Sequence, residues 1–239
     1  MVLLYYNNLI SFGLLAASFA SAAPLSVHDS KKQPDNCAPV HLFVARGTSE
    51  SPGDGSIGSL AQLVLQENPE ATQEAIDYPA APFPFYITDV SIGIKAVTNQ
   101  FMHYTSLCPN STLVFIGYSQ GAQIMLDALC GSGGPLKGGT GSPTITKSQG
   151  KNIAAVVGYG DPGHVAGESW DQGTAKADGI FARPAGACNA WANNIHSYCD
   201  AGDPYCAGGS NQTIHLQYTH KYNSAASQWV NGQIVSASA

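Results

Sequence analysis

One stretch limits this chain more than any other: residues 112–116, rich in β-formers, run through Gly117-Tyr118-Ser119-Gln120-Gly121 straight into helical spacing over 120–129. A strand that becomes a helix within a single residue needs a very sharp turn. Side chains two residues to either side of Ser119 would collide there, and both positions are glycine. The same helix start leaves backbone amides without partners, that of Gln120 among them, and these can stabilise a developing negative charge. Around this turn the pattern repeats. Val40–Ala45, Ile153–Tyr159 and Ile195–Cys199 read as strands, with 75–78 a weaker candidate before a proline-rich loop. Helical spacing covers 60–67, 92–107 and 222–234. Uninterrupted apolar strands alternating with helices predict a parallel sheet buried on both faces, hence an α/β fold built as a three-layer α/β/α sandwich.

Charge excludes several classes of partner. The formal charge of the 239 residues is -6 and only 11% are charged, so there is no basic face for nucleic acid or for an anionic membrane. Sparse charge suits a neutral polymer or small neutral esters. Residues 1–22 carry an apolar run and end in Ala20-Ser21-Ala22, a small-x-small cleavage pattern, and are expected to be a signal peptide. Residues 23–36 read as a short disordered leader or pro-segment, leaving 37–239 as one catalytic domain, with the Gly-rich stretch 131–150 a surface excursion within it. A secreted, extracellular, soluble monomer is expected, with no membrane partner. Export makes the six cysteines, Cys37, Cys108, Cys130, Cys188, Cys199 and Cys206, three disulfides whose pairing the residues leave open. They are too scattered for a zinc site, and no metal is expected. Asn110-Ser111-Thr112 and Asn211-Gln212-Thr213 are acceptor patterns for N-glycans.

Gly-x-Ser-x-Gly in a glycine-rich chain can be an ordinary tight turn; between a strand and a helix it reads as a nucleophile elbow with Ser119 as the nucleophile. A serine needs a base, and the base an orienting carboxylate, in the chain order Ser, Asp, His. The segment 199–206, Cys-Asp-Ala-Gly-Asp-Pro-Tyr-Cys, offers Asp200 and Asp203 in a loop that a disulfide would hold rigid. His215 follows twelve residues after Asp203. Either aspartate could instead belong to a hydrogen-bonded turn, and His28, His103 and His220 read as surface residues.

Several ordered motifs carry a specific resemblance: Ala45-Arg46-Gly47-Thr48-Ser49-Glu50, the Gly-Tyr-Ser-Gln-Gly turn, Gly160-Asp161-Pro162, Ala182-Arg183-Pro184-Ala185-Gly186, the 199–206 loop, and His215-Leu216-Gln217-Tyr218. Over residues 37–235 the chain resembles the cutinase and acetylxylan esterase family, carbohydrate esterase family five. The resemblance implies Ser119 as nucleophile, His215 as general base and Asp203 as orienting carboxylate, with Asp200 at a free position. It implies an oxyanion hole from Thr48 and Gln120, bridges Cys37–Cys108 and Cys199–Cys206 that leave Cys130 with Cys188, and no cofactor. The 182–186 and 203–206 segments look like acetylxylan esterases, whose substrate is a polysaccharide ester; Ala207 stands where those esterases carry a further cysteine. Cutinases acting on longer aliphatic esters are the alternative, and a non-catalytic wall-binding relative is the alternative of another class. Tyr205, two residues past Asp203, is expected to cross the acyl side of the site.

Overall fold

The structure, a computed structural model, describes residues 37–134 and 141–238. The expected signal peptide (1–22), the leader (23–36), His28 and the middle of the 131–150 stretch lie outside the described residues. In chain order the elements are β1 (Val40–Ala45), α1 (Gly58–Glu67), β2 (Thr72–Ala75), α2 (Tyr86–Leu107), β3 (Thr112–Tyr118), α3 (Gln120–Cys130), β4 (Ile153–Tyr159), β5 (Asp171–Gly173), a 3-10 turn (Asn189–Asn194), β6 (Ile195–Cys199), α4 (Gln212–His215) and α5 (Tyr218–Ala237). The strands form one sheet ordered β2-β1-β3-β4-β6-β5, and every pairing in it is parallel.

Alternation along the strands sorts the core into two layers. Phe43, Leu113, Phe115 and Val156 point to one face, where they pack with Val97 and Phe101 of α2 and Ile124 of α3. Leu42, Val44, Val114, Ile116, Ala155 and Val157 point to the other, against Leu60 and Val64 of α1 and Ala226 and Val230 of α5. Register reinforces this, since Phe43 pairs with Phe115 and Phe115 with Val156, and the two phenyl rings meet edge to face at 5.1 Å. Every residue of β1 and β4 is buried, which is why their sequences read as continuous apolar runs.

The edges depart from the sequence expectation. The second strand is β2, three residues earlier than 75–78, and its sequence Thr-Gln-Glu-Ala is polar because an edge strand has water on one side. Helix α2 begins at Tyr86 rather than 92, and its first turns bury Tyr86 and Val90 beyond the prolines that mask the apolar period. The closing helix starts at Tyr218. There are three bridges among the described residues: Cys37 to Cys108 joins the start of β1 to the end of α2, Cys130 to Cys188 anchors the end of α3, and Cys199 to Cys206 closes the loop after β6. No described helix is long and apolar enough to cross a membrane.

Candidate active site

Ser119 occupies the one residue between β3 and α3 and has φ 54°, a left-handed value that a serine adopts only when its surroundings impose it. The imposition is visible. Its N–H donates to the Tyr159 carbonyl at 2.8 Å, a Cβ on Gly117 would lie 2.7 Å from the Ala122 backbone, and a Cβ on Gly121 would overlap the Ala45 and Arg46 carbonyls. Both glycines are therefore required by close approach, and the turn delivers the serine hydroxyl to the carboxyl edge of the sheet.

His215 reaches it from the far end of the chain. It closes the four-residue α4, whose start is capped by Asn211 accepting from the Thr213 N–H, and its own carbonyl accepts from the Tyr118 hydroxyl at 3.0 Å. Its Nε2 lies 2.9 Å from Ser119 Oγ and its Nδ1 2.8 Å from Asp203 Oδ2. Asp203 is fully buried, and burial alone would raise its pKa. Hydrogen bonds from His215, from the Tyr205 N–H (2.7 Å) and from the Tyr218 hydroxyl (2.8 Å) outweigh this and hold the carboxyl below the usual range. An ionised Asp203 only accepts, so Nδ1 carries the imidazole proton and Nε2 presents a lone pair to the serine hydroxyl. That arrangement can take a proton from Ser119 as it attacks an electrophilic carbon.

The remaining expected residues are placed as follows. Thr48, in the loop after β1, donates its hydroxyl to Gln120 Oε1 at 3.1 Å, and the fully buried Gln120 side chain donates in turn to Asp89 Oδ2 at 3.2 Å. These bonds draw the loop against the first residue of α3, where helix amides are left over. Tyr205 lies against His215 with ring centroids 4.5 Å apart, and both line a cleft of about 460 Å³ that opens over Ser119. A ladder of Phe83, Tyr86 and Phe181 makes another wall, with centroid spacings of 5.2 and 5.4 Å. His103 and His220 are exposed, and so are Asn110 and Asn211.

Asp200 is tied into the fold. Its carboxylate accepts from the N–H and hydroxyl of Thr174, from Tyr222 and from Lys221 at 2.7–3.1 Å, which fastens the 199–206 loop to β5 and α5. Burial opposes its charge, yet these donors, Lys221 foremost, hold its pKa below the ordinary value. Sequence reasoning missed three supports. Tyr218 was visible only as the end of a motif; Asp89 holds Gln120 and the Ala81 N–H; and the buried Arg183 pairs with Asp127 at 2.7 Å and Asp161 at 2.5 Å behind the aromatic wall. A single sequence shows no partner for any of them. Among the described residues no cluster of three or more His, Cys, Asp or Glu could hold a metal ion.

The cutinase family profile matches residues 36–234. Acetylxylan esterase 2 of Talaromyces purpureogenus is 40% identical over 90% of this chain and 94% of its own length. Cutinase 11 of Verticillium dahliae is 38% identical over 83% of this chain and 70% of its own. Among solved structures, an acetylxylan esterase with 40% identity superposes with a TM-score of 0.78, covering 83% of this chain and 99% of that one. By profile, sequence and fold together, the chain belongs to the cutinase family.

Proposed function

We propose that this chain is a secreted serine esterase that removes acetyl groups from acetylated xylan through an acyl-enzyme. The observation that carries the reading is the hydrogen-bonded line Ser119–His215–Asp203, set under an open cleft. Ser119 Oγ attacks the ester carbonyl while His215 Nε2 takes its proton; the backbone amides of Thr48 and Gln120 stabilise the oxyanion, joined by the Thr48 hydroxyl once it turns from Gln120 Oε1; and His215 returns the proton to the departing sugar oxygen. Water then attacks the acyl-enzyme by the same route. Asp203 keeps the imidazole in the productive tautomer. A single catalytic domain over 37–239, acting as a monomer and exported by a signal peptide, completes the reading, and three disulfides favour an oxidising compartment.

Two relatives of similar identity carry different substrate names, so the acyl group has to be argued from the cleft. Tyr205, lying against His215, favours acetyl by filling space that a longer chain needs. One observation favours the second reading, a cutinase for long aliphatic esters: Phe83, Ile180 and Leu216 at the cleft mouth are 64%, 47% and 65% exposed. Acetate release from acetylated xylan, run beside p-nitrophenyl esters from acetyl to octanoyl, separates them. An apolar pocket gains about 0.8 kcal/mol per methylene, so Tyr205→Ala should move kcat/KM for butyryl over acetyl by roughly ten-fold. A wild-type preference for octanoyl would overturn the acetyl reading. Failure of an organophosphorus reagent to label Ser119 in folded protein would favour a non-catalytic relative.

A further inference from the structure

The last motif of the chain ends in Tyr218, the first residue of α5, whose side chain is buried with 1% of its area exposed although it carries a hydroxyl. Its hydroxyl donates to Asp203 Oδ2 at 2.8 Å, the same oxygen that receives His215 Nδ1–H, and accepts from the Asp200 N–H at 2.9 Å. It also lies 3.3 Å from Cys206 Sγ, whose sulfur is committed to a disulfide and has no proton to offer. A phenol has one proton, and the anionic oxygen is the strongest acceptor in reach. Asp203 Oδ1 is taken up separately by the N–H groups of Tyr205 and Cys206.

We infer that Tyr218 is a positioning residue for the proposed reaction: by sharing Oδ2 with His215 it limits how strongly Asp203 attracts the imidazole proton, and so sets the pH at which His215 becomes available as a base. This rests on the reading of Ser119, His215 and Asp203 given above. The physical step is competition for one oxygen. Each donor that stabilises a carboxylate lowers its basicity, and a less basic Asp203 holds a protonated imidazole less tightly. Burial, and the Asp203 charge beside it, push the Tyr218 hydroxyl well above the usual tyrosine range, so it remains a neutral donor throughout the working pH. The other groups facing this pair are Tyr118 from β3, Tyr159 from β4, Tyr205 from the disulfide loop and, behind Tyr218, Asp200 with Lys221 and Tyr222. Asp200 and Lys221 form their own ion pair at 2.7 Å, and Asp200 meets the catalytic groups through its backbone: its N–H donates to the Tyr218 hydroxyl and its carbonyl accepts from the Asp203 N–H at 3.1 Å.

The test is the pH profile of kcat/KM for p-nitrophenyl acetate in Tyr218→Phe. The expected result is a loss of about ten-fold at neutral pH, carried mainly by kcat, with the ascending limb moved to higher pH. A purely structural role predicts a different outcome: loosening the Asp203–His215 contact would move the limb to lower pH or leave it in place, and either result overturns the inference. In an Asp203→Asn background the same substitution should change kcat/KM by less than about two-fold, because the anion it acts through is gone; a full ten-fold loss there would also overturn it. Should Tyr218→Phe not fold, a fluorinated tyrosine at 218 keeps the hydroxyl and makes it a stronger donor, and the limb should then move to lower pH. Failure of the underlying reading looks different, since Ser119→Ala or Asp203→Asn would retain near wild-type rates.

Discussion

Replacing Arg183 by Met, of similar length and apolar, isolates the charge at the centre of the buried cluster behind the cleft. The guanidinium bridges Asp127 of α3 and Asp161 after β4, and donates to the Gln123 carbonyl at 3.1 Å. Its removal strands two carboxylates that are 2% and 1% exposed. Breaking a buried pair by removing one partner costs about 3–5 kcal/mol, and a domain of this size loses about 2–4 °C per kcal/mol, so Tm should fall by roughly 6–20 °C. The pH dependence gives a sharper check. Burial pushes Asp127 up to about 7, more than the nearby Arg183 pulls it down. A carboxyl raised in the folded state stabilises the fold at low pH and loses that contribution as pH rises through the folded value. Without Arg183 the Asp127 carboxyl is raised further, so the deficit against wild type should be largest near pH 8 and shrink toward pH 5, where Asp127 can take up a proton. Calorimetry of both proteins at the two pH values measures this. A deficit below about 2 °C at pH 8, or one that grows on acidification, would refute the assignment of the cluster as a charge-dependent clamp.

Other outcomes follow from the site. Ser119→Ala should lose at least roughly a thousand-fold in kcat with its Tm unchanged within a few degrees, because the lost hydroxyl opens no cavity; rates near wild type would remove the nucleophile. Asp203→Asn should be severely impaired, whereas Asp200→Asn should stay within about ten-fold in kcat while losing stability, as its bonds to Lys221, Tyr222 and Thr174 weaken; the reverse order would exchange their roles. Wild-type kcat/KM should rise with pH along one limb, since only a neutral imidazole can take the serine proton, and a flat profile with chemistry limiting would count against a histidine base. Selective loss of the Cys199–Cys206 bridge should lower kcat by loosening the loop that carries Asp203; full activity after verified reduction would show that other contacts, those of Asp200 and Tyr218 among them, hold it.

What the sequence made legible was decided by how local the cause is. The central strands β1, β3 and β4 announce themselves because burial on both faces keeps most of their positions apolar, and Ser119 because a single residue must turn a strand into a helix. The polar edge strands β2 and β5 carry no such signature, and β5 has only three residues. Asp203 could be separated from Asp200 only by resemblance, since both sit in one disulfide loop and their roles depend on whether His215 or Lys221 faces them. Arg183 lay in a recognised motif, but its partners are 56 and 22 residues away in sequence, which no spacing rule connects.

The common direction of the strands also gives the molecule a working end and an idle one. Ser119, Thr48 and the 199–206 loop all leave the carboxyl ends of β3, β1 and β6, whereas Asn110 precedes the amino end of β3. The seven residues of that strand, at about 3.3 Å each, put Asn110 roughly 20 Å or more from the serine. A bulky tether attached there, for immobilising the protein on a bead or a fibre, would leave the cleft facing outward. The same tether at Asn211, next to the cleft-lining Gln212, would stand across its entrance.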